Sequence, residues 1–220
     1  MSRIVVVGAH GRTGLLIVEQ LIKAGDQVVA TIRNPKHMAD LVKRGAETLI
    51  LDLDATPGPE FARHFKGADA VVFAAGSGTG ESSEIDSKGV RKTLNAAEKA
   101  GVKRYVAISS IGASTGMKLS GEWATDEMKD YYKHKRLAGK AIAKSGLDWT
   151  IVEPGELTEG KPTGKVTLSI EAIPQKSVSR ADVAAVVIAA LKSPRTAGKA
   201  LQLTSGKTTI ADAIKAVGGK

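Results

Sequence analysis

A chain of 220 residues can bury one substantial core, and α/β folds of this length usually stay a single domain. The absence of cysteine excludes disulfides, thiolate catalysis and cysteine-ligated metals. The formal net charge of +9 comes from scattered Lys and Arg with no nucleic-acid motif beside them, so it reads as a basic surface suited to a phosphorylated ligand.

No apolar run approaches the roughly 18–20 residues needed to span a bilayer, so no membrane partner is expected. The run Ile4–Val7 is too short for the apolar part of a secretory leader, which makes a cytoplasmic location the default expectation. Aromatic content is low at 4%, while small and branched aliphatic residues are plentiful, as suits helices packed closely on a parallel sheet.

In chain order, Ile4–Val7 is an unbroken and mostly β-branched strand, as if buried on both faces. Gly8, Gly11 and Gly14 follow at spacings of three, in the order Gly-Ala-His-Gly-Arg-Thr-Gly. Leu15, Leu16, Val18, Leu21 and Ile22 then recur at helical spacing up to a stop at Gly25. Strand, glycine turn and helix together bring free N–H groups and a positive helix end to a diphosphate, which predicts a dinucleotide site at 8–14.

A second strand is expected at 27–32, ended by Arg33-Asn34-Pro35, then a short helix to Val42 closed at Gly45. A third strand at 48–51 ends at Asp52, and a short helix follows at 60–65. The fourth strand, 68–74, runs into a small-residue loop from Ala75 to Gly80, followed by a long helix from Glu84 to Ala100. The fifth strand, 102–108, ends in Ser109-Ser110. Next come a polar stretch, a helix from about 125 to 144, and a sixth strand at 149–152 ending at Glu153-Pro154-Gly155. A region rich in Gly, Pro, Lys and Thr follows around a strand at 166–170, then a helix at 182–191, a strand at 200–203 and a helix at 210–217.

Strands alternating with helices in this way predict an α/β fold: a Rossmann-like, doubly wound parallel sheet with right-handed crossovers. The whole chain, 1–220, is expected to form one such domain, with 156–178 as a small substrate-side lobe over the C-terminal edge of the sheet.

With these residues laid out, the chain resembles the atypical short-chain dehydrogenase/reductases, often described as NAD(P)-binding or NAD-dependent epimerase/dehydratase-like. The matching pieces, in the order of that family, are 8–14, Arg33-Asn34-Pro35, Ala-Gly-Val-Lys-Arg-Tyr-Val (100–106) with Ser109-Ser110, and Ser-Gly-Leu-Asp-Trp-Thr-Ile-Val (145–152) with Pro154-Gly155. Thr-Gly-Lys-Val (163–166) and Ser-Arg-Ala-Asp-Val-Ala (179–184) complete them. Relatives commonly carry Arg before the Pro-Gly, where this chain has Glu153.

For the cofactor, the turn residues Gly8, His10, Gly11, Arg12, Thr13 and Gly14 are the first candidates. A protein choosing NAD places an acid at the end of the second strand, about 20 residues past the glycines, to bind the ribose 2′-hydroxyl. This strand ends in Arg33, with no acid between Val28 and Asn34. Arg33, with Arg12 reaching toward the same place, suits a 2′-phosphate, so NADP is expected, with NAD a weaker possibility. The alternative is that Arg33 is an ordinary exposed residue before a turn. The resemblance puts Asp52 and Leu53 against the adenine, although Asp52 also reads as a turn cap. Ala74, Ala75 and Gly76 leave room for a cofactor backbone, and the family pattern adds Pro154 and Gly155.

For the chemistry, the resemblance implies a Tyr that passes the proton and a Lys four residues on that lowers the Tyr pKa and holds the nicotinamide ribose. A Ser that polarises the carbonyl completes the set. Tyr131 and Lys135 share a helix face, and Ser109 and Ser110 end the fifth strand. Tyr131 as a packing residue is the alternative, and Tyr132 is expected to face elsewhere. His134 reads as solvent-facing, and no metal site is expected. No nucleophile elbow is present, which argues against a hydrolase. The expected activity is reduction of a small carbonyl or conjugated substrate with NADPH. A non-catalytic NADP(H)-responsive regulator and a sugar-nucleotide epimerase or dehydratase are the other readings, with the protein a monomer or homodimer.

Overall fold

The computed structural model describes residues 1–76 and 84–217; the part of the expected small-residue loop from Ser77 to Gly80 lies outside them. Strand β1 (Arg3–Val7) leads into helix α1 (Arg12–Lys23), and β2 (Gln27–Ile32) into a 3₁₀ turn at 35–37 and α2 (Met38–Lys43). Then follow β3 (Glu47–Ile50), α3 (Gly58–Phe65), β4 (Ala70–Phe73), α4 (Glu84–Ala100) and β5 (Arg104–Ile108). A 3₁₀ turn at 121–123 precedes α5 (Asp126–Ala143), and then come β6 (Asp148–Pro154) and the two-residue β7 (Leu157–Thr158). After β8 (Lys165–Ser169) and β9 (Val178–Ser179), the chain ends in α6 (Arg180–Lys192), β10 (Lys199–Ser205), β11 (Thr208–Thr209) and α7 (Ile210–Val217).

Among the described residues, nine strands form the main sheet in the order β11-β8-β10-β6-β5-β4-β1-β2-β3. From β10 to β3 every pairing is parallel. Successive β1 residues point to opposite faces: Ile4 and Val6 enter one core, Val5 and Val7 the other. The first core lies under α1 and α6, which pack on each other, and the second under the α3–α4–α5 layer. Both faces of the central strands are therefore dry, which is why they read as unbroken apolar runs. The doubly wound parallel architecture expected from the alternation is the one observed.

The C-terminal third is put together differently from the sequence reading. Strand β8 does not stand in a lobe of its own: it pairs antiparallel with β10, and β11 pairs with β8 in turn. This covers the free edge of β10, whose N–H and C=O groups would otherwise be open to pairing. What remains apart is the parallel pair β7–β9. Strand β6 also runs on through Glu153 and Pro154, because β10 pairs along it as far as Leu203↔Pro154. No helix among the described residues is long and apolar enough to cross a membrane.

Candidate functional site

The chain leaves β1 for α1 on one face of the sheet and leaves the neighbouring β4 for α4 on the other. A crevice opens at the C-terminal ends of strands where connections diverge in this way. Here it is a cavity of about 300 Å³ lined by Gly8, His10, Gly11, Arg33, Asp52, Leu53, Ala74, Ala75 and Gly76 from the expected set. Thr31, Ile32, His37, Leu51 and Ile85 complete much of the wall.

Gly8 has φ +78, and a Cβ there would lie 2.6 Å from the Ala75 backbone, so the first turn and the end of β4 touch only because no side chain intervenes. A Cβ on Gly14 would lie 2.3 Å from the Gly8 carbonyl oxygen, so α1 also starts hard against the turn. The N-cap residue, Gly11, has no side chain to cap α1, and no acid stands in the first turn of the helix. Its N-terminal amides and dipole are thus available to an anion. Together with the glycine cradle, this donor set fits the diphosphate of a dinucleotide.

The remaining turn residues face another way. Arg12 Nη1 donates to Glu159 Oε1 at 3.0 Å, and Arg180 Nε donates to the same oxygen at 2.7 Å. Arg180 also reaches Thr13 Oγ1 at 3.3 Å. The Arg180 hydrogen bond, with help from Arg12, holds the Glu159 carboxyl below the usual range. Arg12 therefore ties the glycine turn to the segment after β7 and does not line the cavity beside Arg33, where the sequence reading had it reaching.

Asp52 both lines the cavity and caps a turn: its Oδ1 accepts from the Asp54 amide at 2.7 Å and the Ala55 amide at 3.1 Å. Those two bonds, with the charge of Arg33 nearby, hold its pKa down. Lys92 of α4 donates to the Thr56 carbonyl at 2.8 Å and also to that of Leu53, fixing the same turn from behind.

The chemistry candidates come from β5 and α5. Thr125 caps α5 by accepting from the Met128 amide, which fixes where the helix starts. Lys135 Nζ donates to Asp86 Oδ1 at 3.0 Å and lies 5.3 Å from the centre of the Tyr131 ring. Both members of the pair are buried. Burial alone pulls the Lys135 pKa down, but Tyr131 and Asp86 more than offset it, leaving it above the usual lysine value. The Tyr131 hydroxyl has no hydrogen-bond partner among the described residues. Ser109 and Lys135 line a small cavity with Asp86, and the Ser109 Oγ is buried without a partner among the described residues. A Cβ on Gly76 would come within 3.5 Å of Asp86 Oδ1 and 3.8 Å of Lys135 Nζ, so this cluster abuts the end of the first cavity.

Ser110 is drawn elsewhere. Its Oγ meets the Tyr132 hydroxyl at 3.4 Å, and that hydroxyl donates to the Ile111 carbonyl at 3.0 Å. Tyr132 thus pins the loop after β5 through Ser110 and Ile111. His134 departs from the sequence reading: it is buried, with Nδ1 2.8 Å from Ser87 Oγ on α4. Both ties, Asp86–Lys135 and Ser87–His134, clamp α4 to α5. Asp86 was missed, though a signal existed: it is in phase with Gly89, Val90, Thr93, Leu94 and Ala97 on the buried stripe of α4. A carboxylate on such a stripe needs an opposite charge.

A protein-family profile described as NAD(P)H-binding matches residues 8–194. The chain belongs to the NAD(P)H-binding family. A Bacillus subtilis protein named uncharacterized sugar epimerase YhfK is 35% identical over 218 residues, covering 97% of this chain and 99% of its own. Among solved structures, a NAD-dependent epimerase/dehydratase-type protein from Bacillus halodurans is 35% identical, with a TM-score of 0.88 over 98% of this chain and 100% of its own. The oxidoreductase ylbE from Lactococcus lactis is 31% identical with a TM-score of 0.83, covering 97% and 95%.

Several matching motifs of this NAD(P)H-binding protein have structural roles. Asp182 of the 179–184 motif accepts from the Ser179 hydroxyl and from the Thr163 and Gly164 amides, so it fixes both the start of α6 and the loop before β8. A Cβ on Gly155 would lie 2.0 Å from the Lys176 carbonyl oxygen, and the Pro154 carbonyl accepts from the Ile111 amide at 2.9 Å. Glu153 is buried, accepting from the Ser114 amide and hydroxyl and from the Gln202 side chain; burial pushes its pKa up despite these bonds. None of Glu153, Pro154, Gly155 and Asp182 lines the cofactor cavity.

Proposed function

We propose that the protein is an NADPH-dependent oxidoreductase that reduces a small carbonyl or conjugated substrate. The observation that carries this reading is the position of Lys135: its Nζ lies 5.3 Å from the centre of the Tyr131 ring, it shares a small cavity with Ser109, and it stands next to Gly76 at the end of the cofactor crevice. A bound nicotinamide supplies the hydride. The residues of the chain handle the proton: Tyr131 gives its phenolic proton to the substrate oxygen as charge builds there. The ammonium of Lys135, kept charged by Asp86, favours the phenolate left behind. Ser109 Oγ donates a hydrogen bond to the same oxygen and polarises it.

Preference for NADPH rests on Arg33 lining the cavity and on the absence of an acid at the end of β2. Losing a charge-assisted phosphate contact costs about 1.5–3 kcal/mol, or roughly ten- to a hundredfold in affinity. Arg33→Ala should therefore weaken NADPH far more than NADH in fluorescence titrations, and equal losses would refute the preference. Turnover is tested by NADPH consumption against quinones, aldehydes and flavin-like acceptors. Tight NADPH binding with no consumption across that panel would instead favour a non-catalytic, cofactor-responsive regulator.

A further inference from the structure

Arg12 is committed to Glu159, so Arg33 does not share the cavity wall with a second guanidinium from the glycine turn. What stands there instead is a pair of imidazoles. His10, from the glycine turn, and His37, from the 3₁₀ turn after β2, both line the cavity with Arg33. Their rings stack face to face, with centroids 3.7 Å apart and planes 9° from parallel.

The stack is anchored from behind. His10 Nε2 lies 3.2 Å from Asp40 Oδ2 on α2, and a carboxylate there can only accept, so Nε2 carries the hydrogen. Asp40 is held in turn by Arg44, which also bridges to Glu19 of α1. The His37 amide donates to the Asn34 carbonyl at 3.1 Å, which sets the turn that presents the ring. Among the described residues the His37 ring nitrogens have no hydrogen-bond partner. The acid on the same wall, Asp52, is occupied by the Asp54 and Ala55 amides.

We propose that His37, braced by its stack on His10, is a specificity-determining contact for the 2′-phosphate of NADP(H), acting beside Arg33. This rests on the NADPH reading above. An imidazole N–H donates to a phosphate oxygen as a charge-assisted hydrogen bond, roughly twice as strong as its bond to a neutral ribose hydroxyl. The contact therefore favours the phosphorylated cofactor, and the brace spares it the entropy of ordering a free side chain.

The test uses the full chain and four probes: NADPH, NADH, adenosine 2′,5′-bisphosphate and AMP. His37→Ala should weaken NADPH and the bisphosphate by about three- to thirtyfold, and NADH and AMP by less than about twofold. His10→Ala removes the stacking partner, together with its own part of the cavity wall, and should give a smaller loss of the same selectivity. His37→Lys restores a donor and should keep the preference, which also guards against a variant that fails to fold. Equal effects on phosphorylated and unphosphorylated probes, or none on either, would overturn the proposal. Arg33→Ala is titrated in parallel. If it is selective while His37→Ala is not, the histidine contact alone fails. If neither variant is selective and the wild type does not prefer NADPH, the NADPH reading falls as well.

Discussion

Replacing Asp86 with Ala tests how the chemistry site is held together. Asp86 is 1% exposed and Lys135 6%, with Nζ and Oδ1 3.0 Å apart, so little water can replace the lost carboxylate. Breaking a buried pair by removing one partner costs about 3–5 kcal/mol, mostly the penalty of the charge left behind. For a chain of roughly this size each kcal/mol moves Tm by about 2–4 °C, so Asp86→Ala should melt roughly 6–20 °C lower. The Lys135 pKa lies above its unfolded value, so this contribution is fully present at neutral pH and is lost only as pH rises through the folded pKa. The decisive measurement is a double-mutant cycle at pH 7 with Lys135→Met. Removing both charges should recover much of the loss, because neither is then buried alone. A shift below about 2 °C for Asp86→Ala, or strictly additive singles, would refute the reasoning.

Two further outcomes are expected. Tyr131→Phe removes only a hydroxyl, so NADPH affinity should hold while turnover falls by roughly 10²–10⁴-fold; normal turnover would make this Tyr structural. Burial opposes the Asp182 carboxylate, but the Thr163 and Gly164 amides and the Ser179 and Thr163 hydroxyls outweigh it and lower its pKa. The stability this brings is present above the unfolded Asp value of about 3.9 and is lost as pH falls through the folded pKa. Asp182→Ala should therefore cost about 1–3 kcal/mol in urea unfolding at pH 7 and much less in strong acid. An equal difference at both pH values would rule this account out.

The strand, glycine turn and helix at the start of the chain are legible because their causes are local. A strand buried on both faces must be apolar at every position, and a turn in which a Cβ would lie 2.6 Å from the backbone just after β4 must lack a side chain. The βα alternation likewise implies parallel pairing, since each helix returns the chain to the same end of the sheet. Tyr131 and Lys135 share a face because helix pitch alone brings them together.

What lies across the chain was decided by tertiary structure. Asp86 and Lys135 are 49 positions apart and Arg12 and Glu159 are 147 apart, and no periodicity links such pairs. The strand at 165–169 looks the same in sequence whether it stands in a lobe or closes the edge of β10; only the unpaired backbone of β10 selects the second. His134 sits on a helix whose charged residues suggest exposure, yet packing against α4 buries it on Ser87. Local chemistry sets which elements form and which side chains can act. Which of those side chains meet depends on how whole faces pack, a property that no single stretch of the chain carries.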